Sequence, residues 1–111
     1  MRIFKRKDFM DLPAGVIFSC GKPCYFEGFF VKGETMGNDF TQRSLDDFEA
    51  PDSGDWADNF DDMLENNVSV PIDKDYGRQG LFDDEHIFLV YEDDDLDNLL
   101  ETINEAKGLL K

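Results

Sequence analysis

The apolar positions change period several times along the chain, and each change marks an expected element. Gly15–Ser19 holds Val16, Ile17 and Phe18 in an unbroken run, and Tyr25–Lys32 is a second run rich in aromatics. Short β-branched and aromatic runs of this kind read as strands. Between them, Cys20-Gly21-Lys22-Pro23-Cys24 has turn chemistry, so the two are expected to form a hairpin. Gly28 inside the second run predicts a bulge or a strong bend. Gly33 and Gly37 bracket the next loop, and Phe40–Leu45 reads as a third, more polar strand. Val68, Val70 and Ile72 alternate as in a short edge strand, the place where Pro71 is tolerated. Asp73–Gly80 reads as a polar loop. His86–Tyr91 is continuously apolar or aromatic between charge clusters and is expected to be the central strand.

Two stretches switch to helical spacing. Trp56, Phe60, Met63 and Leu64 fall at i, i+4, i+7 and i+8, one stripe of a helix, with Asp55 as the expected N-cap and Asn66-Asn67 as the stop. Leu96, Leu99, Leu100, Ile103 and Leu110 keep the same period in a helix from about Asp95 to Leu109. Asp93, Asp94 and Asp95 stand at its N-terminus, where the helix dipole favours anions. At the start of the chain, Asp8 is expected to cap a short helical turn that Pro13 closes. The elements add up to an α+β fold. A bent antiparallel sheet of four or five strands carries two helices packed on it, and residues 1–111 form a single domain.

Composition sharpens this picture at two points. The 11 Phe and a hydrophobic fraction of 41% supply enough apolar surface to fold, which excludes a disordered chain. The charge is the outlying property: 26 Asp and Glu against 11 Lys and Arg leave a net −15. A small domain is well served by a magnitude of about 2–8, and the excess costs stability through self-repulsion. Solubility or salt adaptation is one explanation; a surface that meets a basic partner is the sharper alternative. The sign argues against direct binding of nucleic acid and against adhesion to an anionic membrane. No apolar run is long enough to span a bilayer. Arg2, Lys5, Arg6 and Lys7 are not followed by the apolar segment of a signal peptide. With two cysteines and no secretion signal, a reducing cytoplasm is the expected location.

Candidate catalytic chemistry is sparse. Cys20 and Cys24 are spaced C-x₃-C, but a zinc site needs four ligands, and the chain holds two Cys and one His. They are expected to be reduced thiols beside a turn, with no metal or other cofactor. His86 would have to serve any general-base scheme, yet no nucleophile stands in a recognisable context near it. Asp73-Lys74-Asp75 begins like a calcium loop, but Arg78 occupies the position that requires Gly and Asp84 the one that requires Glu. Phosphate-binding glycine motifs are absent from the sequence.

The acidic clusters are the stronger signal. Residues 46–65 hold nine carboxylates and residues 83–105 hold ten, neither block containing Lys or Arg. Asp55, Asp58, Asp62 and Glu65 recur along the middle helix as a ladder with steps of roughly 5 Å, a coarse imitation of a phosphate backbone. Asp62 and Glu65 approach the helix C-terminus, where the dipole disfavours them, and such local conflicts are expected at functional positions. Asp93, Asp94 and Asp97 extend the acidic set, and an exposed Phe48, Trp56 or Phe82 would add an aromatic anchor for a protein partner. The expected function is non-enzymatic: an inhibitor or antidote that occupies a basic, nucleic-acid-binding site of a protein such as an enzyme or a toxin. Small acidic phage proteins and immunity proteins share this character, by analogy of composition. The alternative is a structural or adaptor subunit whose charge serves solubility.

Overall fold

The computed structural model describes residues 1–50, 52–81 and 83–110. Along the chain the elements are β1 (Arg2–Lys5), α1 (Arg6–Met10), β2 (Ile17–Lys22), β3 (Tyr25–Met36), β4 (Asp39–Ser44), α2 (Ser53–Glu65), β5 (Gly77–Arg78), β6 (Ile87–Val90) and α3 (Asp93–Ala106). The fold is α+β. One sheet has the order β1-β6-β2-β3-β4-β5, with every neighbouring pair antiparallel. Among the described residues the fold thus has six strands and three helices, where four or five strands and two helices were expected.

The additional strands are short ones at the sheet edges. β1 has only four residues and β5 only two, too few to display an alternating pattern. β5 lies within the stretch that reads as a polar loop. The expected edge strand at Val68–Ile72 does not form; that segment contributes a single bridge, Ile72 to Phe48. Asp8 does not cap α1, which begins after Lys5 without a side-chain cap. The His86–Tyr91 run yields β6, an interior strand between β1 and β2.

Two glycines shape β3. The β2–β3 register shifts between Phe18 and Cys20, opposite Gly28, whose φ of +80° belongs to the left-handed region. The Gly28 carbonyl accepts a hydrogen bond from Ser19 Oγ at 2.7 Å. The bulge anticipated at Gly28 is therefore present. A second register shift, between Lys32 and Thr35, contains Gly33, which sequence alone places in a loop; a Cβ there would strike the Thr41 side chain. At Gly28 a Cβ would run into the Phe30 ring. Gly28→Ala is accordingly expected to destabilise the fold by more than about 1 kcal/mol, read as a lowered midpoint in thermal unfolding monitored by circular dichroism.

The bent sheet closes around α1. Phe9 of α1 lies among Phe18, Phe40 and Phe88, with ring centroids 4.7, 5.2 and 4.1 Å away. These four rings are fully buried and, with Val90, form the core. Arg6 follows edge strand β1, yet its guanidinium donates to Gln79 Oε1 (3.0 Å), just past the opposite edge strand β5, and to the Asn38 carbonyl (2.8 Å). The two ends of the strand order are thus drawn together across α1. Asp39, also fully buried, joins this bridge through Arg78 Nε at 2.9 Å and Arg6 at 3.8 Å. Lys32 is buried as well, its ammonium donating to Thr35 Oγ1 (2.8 Å) and the Gly33 carbonyl (3.2 Å).

Among the described residues the two longer helices, expected to pack on the sheet, add no side chain to this core, although α3 faces the outer side of the sheet across a cleft. On α2, Trp56, Phe60, Met63 and Leu64 all remain at least 36% exposed. Helix α3 contains no buried residue. The radius of gyration, 15.8 Å, exceeds the roughly 13 Å of a compact domain of this length, as outlying helices require. Among the described residues no helix is long and apolar enough to cross a membrane.

Candidate acidic interaction surface

Helix α2 is capped by Asp52, not by Asp55: the Asp55 backbone N–H donates to Asp52 Oδ1 at 2.9 Å. The helix starts earlier than its apolar stripe suggests, which places Asp55 inside the first turn. Repulsion from Asp52 and then partial desolvation push the Asp55 carboxyl above its ordinary value, and Asp58 adds to the effect. The other end agrees with the expectation, with Asn66 as C-cap and Asn67 at a φ of +54°. No basic residue stands in the last turn.

Asp58, Asp62 and Glu65 are solvent-exposed and Asp55 is half-buried. Among the described residues, no Lys, Arg or amino terminus forms an ion pair with any of the four. Asp62 accepts a hydrogen bond from Asn66 Nδ2 at 3.1 Å. At 100° per residue, Asp58 and Asp62 project on the side of the helix away from Trp56. Trp56 therefore does not belong to the acid ladder. Its ring, 40% exposed, stacks between Phe48 (5.0 Å) and Phe60 (5.5 Å), and its indole N–H donates to Asp47 Oδ1 at 3.0 Å. Asn59 Nδ2 donates to the Glu49 carbonyl at 2.8 Å. These contacts fasten α2 to residues 47–49, which in turn bond Pro71 and Asp73. The aromatic face thus holds the helix, and the acidic face is left to solvent. Phe82, the other aromatic considered as an anchor, lies outside the described residues.

The acids of α3 have a different setting. Helix α3 begins at Asp93, two residues earlier than expected, and is capped by Glu92 in a reciprocal capping box with Asp95. The amino terminus of Met1 binds both, at 2.8 Å from Asp95 Oδ2 and 3.2 Å from Glu92 Oε1. The hydrogen bond from this ammonium, joined by the Glu92 backbone N–H, lowers the Asp95 pKa. Asp93 and Asp94 occupy the exposed first turn, where the helix dipole stabilises them. Asp97 is exposed one turn further on. The first-turn acids of α3 therefore have a structural reason to be there; on α2, Asp62 holds the C-cap Asn66, and among the described residues no cation pairs with Asp58, Asp62 or Glu65.

The residues weighed for catalysis are separate. Cys20 packs against the core and Cys24 is exposed at the hairpin tip, and both are free thiols. Burial, then the nearby Glu27 charge, pushes the Cys20 thiol up, away from the reactive thiolate. His86 is half-buried at the entrance to β6, its Nδ1 without a hydrogen-bond partner among the described residues. Among the described residues no three His, Cys, Asp or Glu side chains form a metal-binding group. The ionic group of buried Arg6 and Asp39 with exposed Arg78 was not legible in the sequence, because charged residues at hydrophilic positions carry no periodic signal. Compared with protein-family models, with curated proteins and with solved structures, the chain matches none of them.

Proposed function

We propose that this protein is a non-enzymatic binder of a basic protein, acting in the cytoplasm as an inhibitor or antidote that occupies a nucleic-acid-binding site. The observation that carries this reading is the exposed ladder Asp58, Asp62 and Glu65 on α2, continued by Asp55. Uncompensated carboxylates near a helix C-terminus cost stability, so a use outside the fold accounts for them better than a use within it. A cationic surface built for phosphates would meet these charges, and the long-range field of a −15 chain would speed the encounter. The adaptor reading draws on the exposed apolar positions of α3, and salt-insensitive self-association would favour it.

The test is a native pull-down from source lysate at low and high salt, repeated with the double substitution Asp58→Lys and Asp62→Lys. The expected result is a basic, nucleic-acid-binding protein retained at low salt and released at high salt. The charge reversals should weaken retention about tenfold or more. A partner retained equally by the variant, or self-association alone, would remove the support for this reading.

A further inference from the structure

We propose that the cleft between α3 and the outer face of the sheet receives a positively charged amphipathic helix of a partner protein, an inference that rests on the basic-partner reading above. The cleft has a volume of about 520 Å³, inside the range of roughly 300–1,000 Å³ spanned by ligand pockets. Ile17 of β2 and Phe29 of β3 line the sheet side, Leu45 follows β4, and Leu99, Leu100 and Ile103 line the helix side. A helix that served only to cover the sheet would bury the whole stripe; Leu96 and Leu99 are half-buried, yet Leu100 is 58% and Ile103 52% exposed. At its N-terminus α3 is held by the Met1 ammonium, so the apolar stripe is presented without being closed down.

Charge selects the occupant. Asp93, Asp97 and Glu101 recur at i, i+4 and i+8, along one flank of the Leu96–Leu100 stripe. On the other side of the cleft, Leu45 is followed by Asp46 and Asp47, and the lining residue Ile72 by Asp73. Against these six acids the neighbouring sequence sets Arg43, Lys74 and Lys107, so the surroundings of the cleft are net negative. A second copy of the chain would bring another −15 to this rim, and an anionic lipid would be repelled as well. A helix with an apolar stripe between Lys and Arg satisfies both floor and rim, in the manner of helix-in-groove recognition.

The probe is a fluorescently labelled peptide of Leu and Lys with Leu at helical spacing. Controls are the same composition scrambled and a Leu/Glu counterpart. Fluorescence anisotropy reports affinity, and amide shifts in nuclear magnetic resonance report location. The expected result is binding of the patterned Leu/Lys peptide about tenfold tighter than the scrambled one, with shifts at Ile17, Leu45 and Ile103. Leu100→Asn with Ile103→Asn should weaken it about tenfold; both side chains are more than half exposed, so the fold is retained. Asp97→Lys with Glu101→Lys should weaken it without touching the apolar floor. Equal binding of the scrambled peptide, indifference to the groove substitutions, or a dimer in light scattering that these substitutions dissociate would each overturn the inference. If peptide binding is lost on Asp58→Lys with Asp62→Lys while the groove signals stay silent, the groove inference falls and the basic-partner reading stands. If no basic peptide or basic protein binds at all, both fall.

Discussion

Phe9→Ala is expected to cost about 3–5 kcal/mol of stability, the range for truncating a fully buried aromatic. Among the described residues Phe9 is the one core ring that comes from a helix, and three rings of the sheet converge on it. Its near-parallel stacking on Phe88 joins α1 to β6, and its edge contacts join α1 to β2 and β4. Among the described residues the core holds five buried apolar side chains, three of them rings in contact with Phe9, so its truncation opens a cavity at the centre of the packing. Against a total stability of about 5–15 kcal/mol for an ordinary domain, this loss leaves a substantial unfolded population at physiological temperature. Denaturant unfolding should show the midpoint falling with the slope unchanged, and the thermal midpoint should drop by roughly 15 °C or more. A loss below about 1.5 kcal/mol would mean that α1 does not organise the core.

The second large effect is expected at Asp39. Asp39→Ala removes the acceptor for Arg78 Nε and for the Gly80 backbone N–H, and leaves Arg6 facing a site without its anion. Uncovering a buried charge in this way costs about 3 kcal/mol. Asp39→Asn should cost less, since the amide oxygen still accepts from Gly80. Burial alone would raise the Asp39 carboxyl. Backbone donors from Gly80 and Phe40, together with the Arg78 guanidinium, outweigh it and hold the carboxyl below its ordinary 3.8. Because the folded-state value is the lower one, the carboxylate contributes its full stabilisation above pH 3.8. That contribution is lost as pH falls through the folded value. Acid unfolding of the wild type should therefore steepen below this point, and Asp39→Asn should flatten that limb. An unchanged acid limb in Asp39→Asn would show that the stabilisation comes from other carboxylates.

Both of these sites lay partly beyond the reach of sequence. The α+β class, the β2–β3 hairpin, the Gly28 bulge, β6 and both amphipathic helices were legible, because each depends on local rules of period, turn chemistry and backbone freedom. β1 and β5 were not, since four-residue and two-residue edge strands exist only through their partners. Val68–Ile72 had the alternation of a strand, but acquired only one bridge. Asp55 had the composition of a cap, but the helix extended one turn back to Asp52.

The chain by itself determined the charge, the acid ladder on α2 and the apolar stripes, because these follow from residue type and helical spacing. Which face of each stripe is covered was decided by the tertiary structure. Phe9 of a five-residue helix fills the centre of the bent sheet, while the stripes of the two longer helices remain substantially open. Arg6 and Asp39, hydrophilic by type, are buried because residues distant in sequence supply their partners, and Lys32 is buried with partners from its own strand. Periodicity reports that a face is apolar. Whether it becomes core or interface depends on what the rest of the chain brings against it.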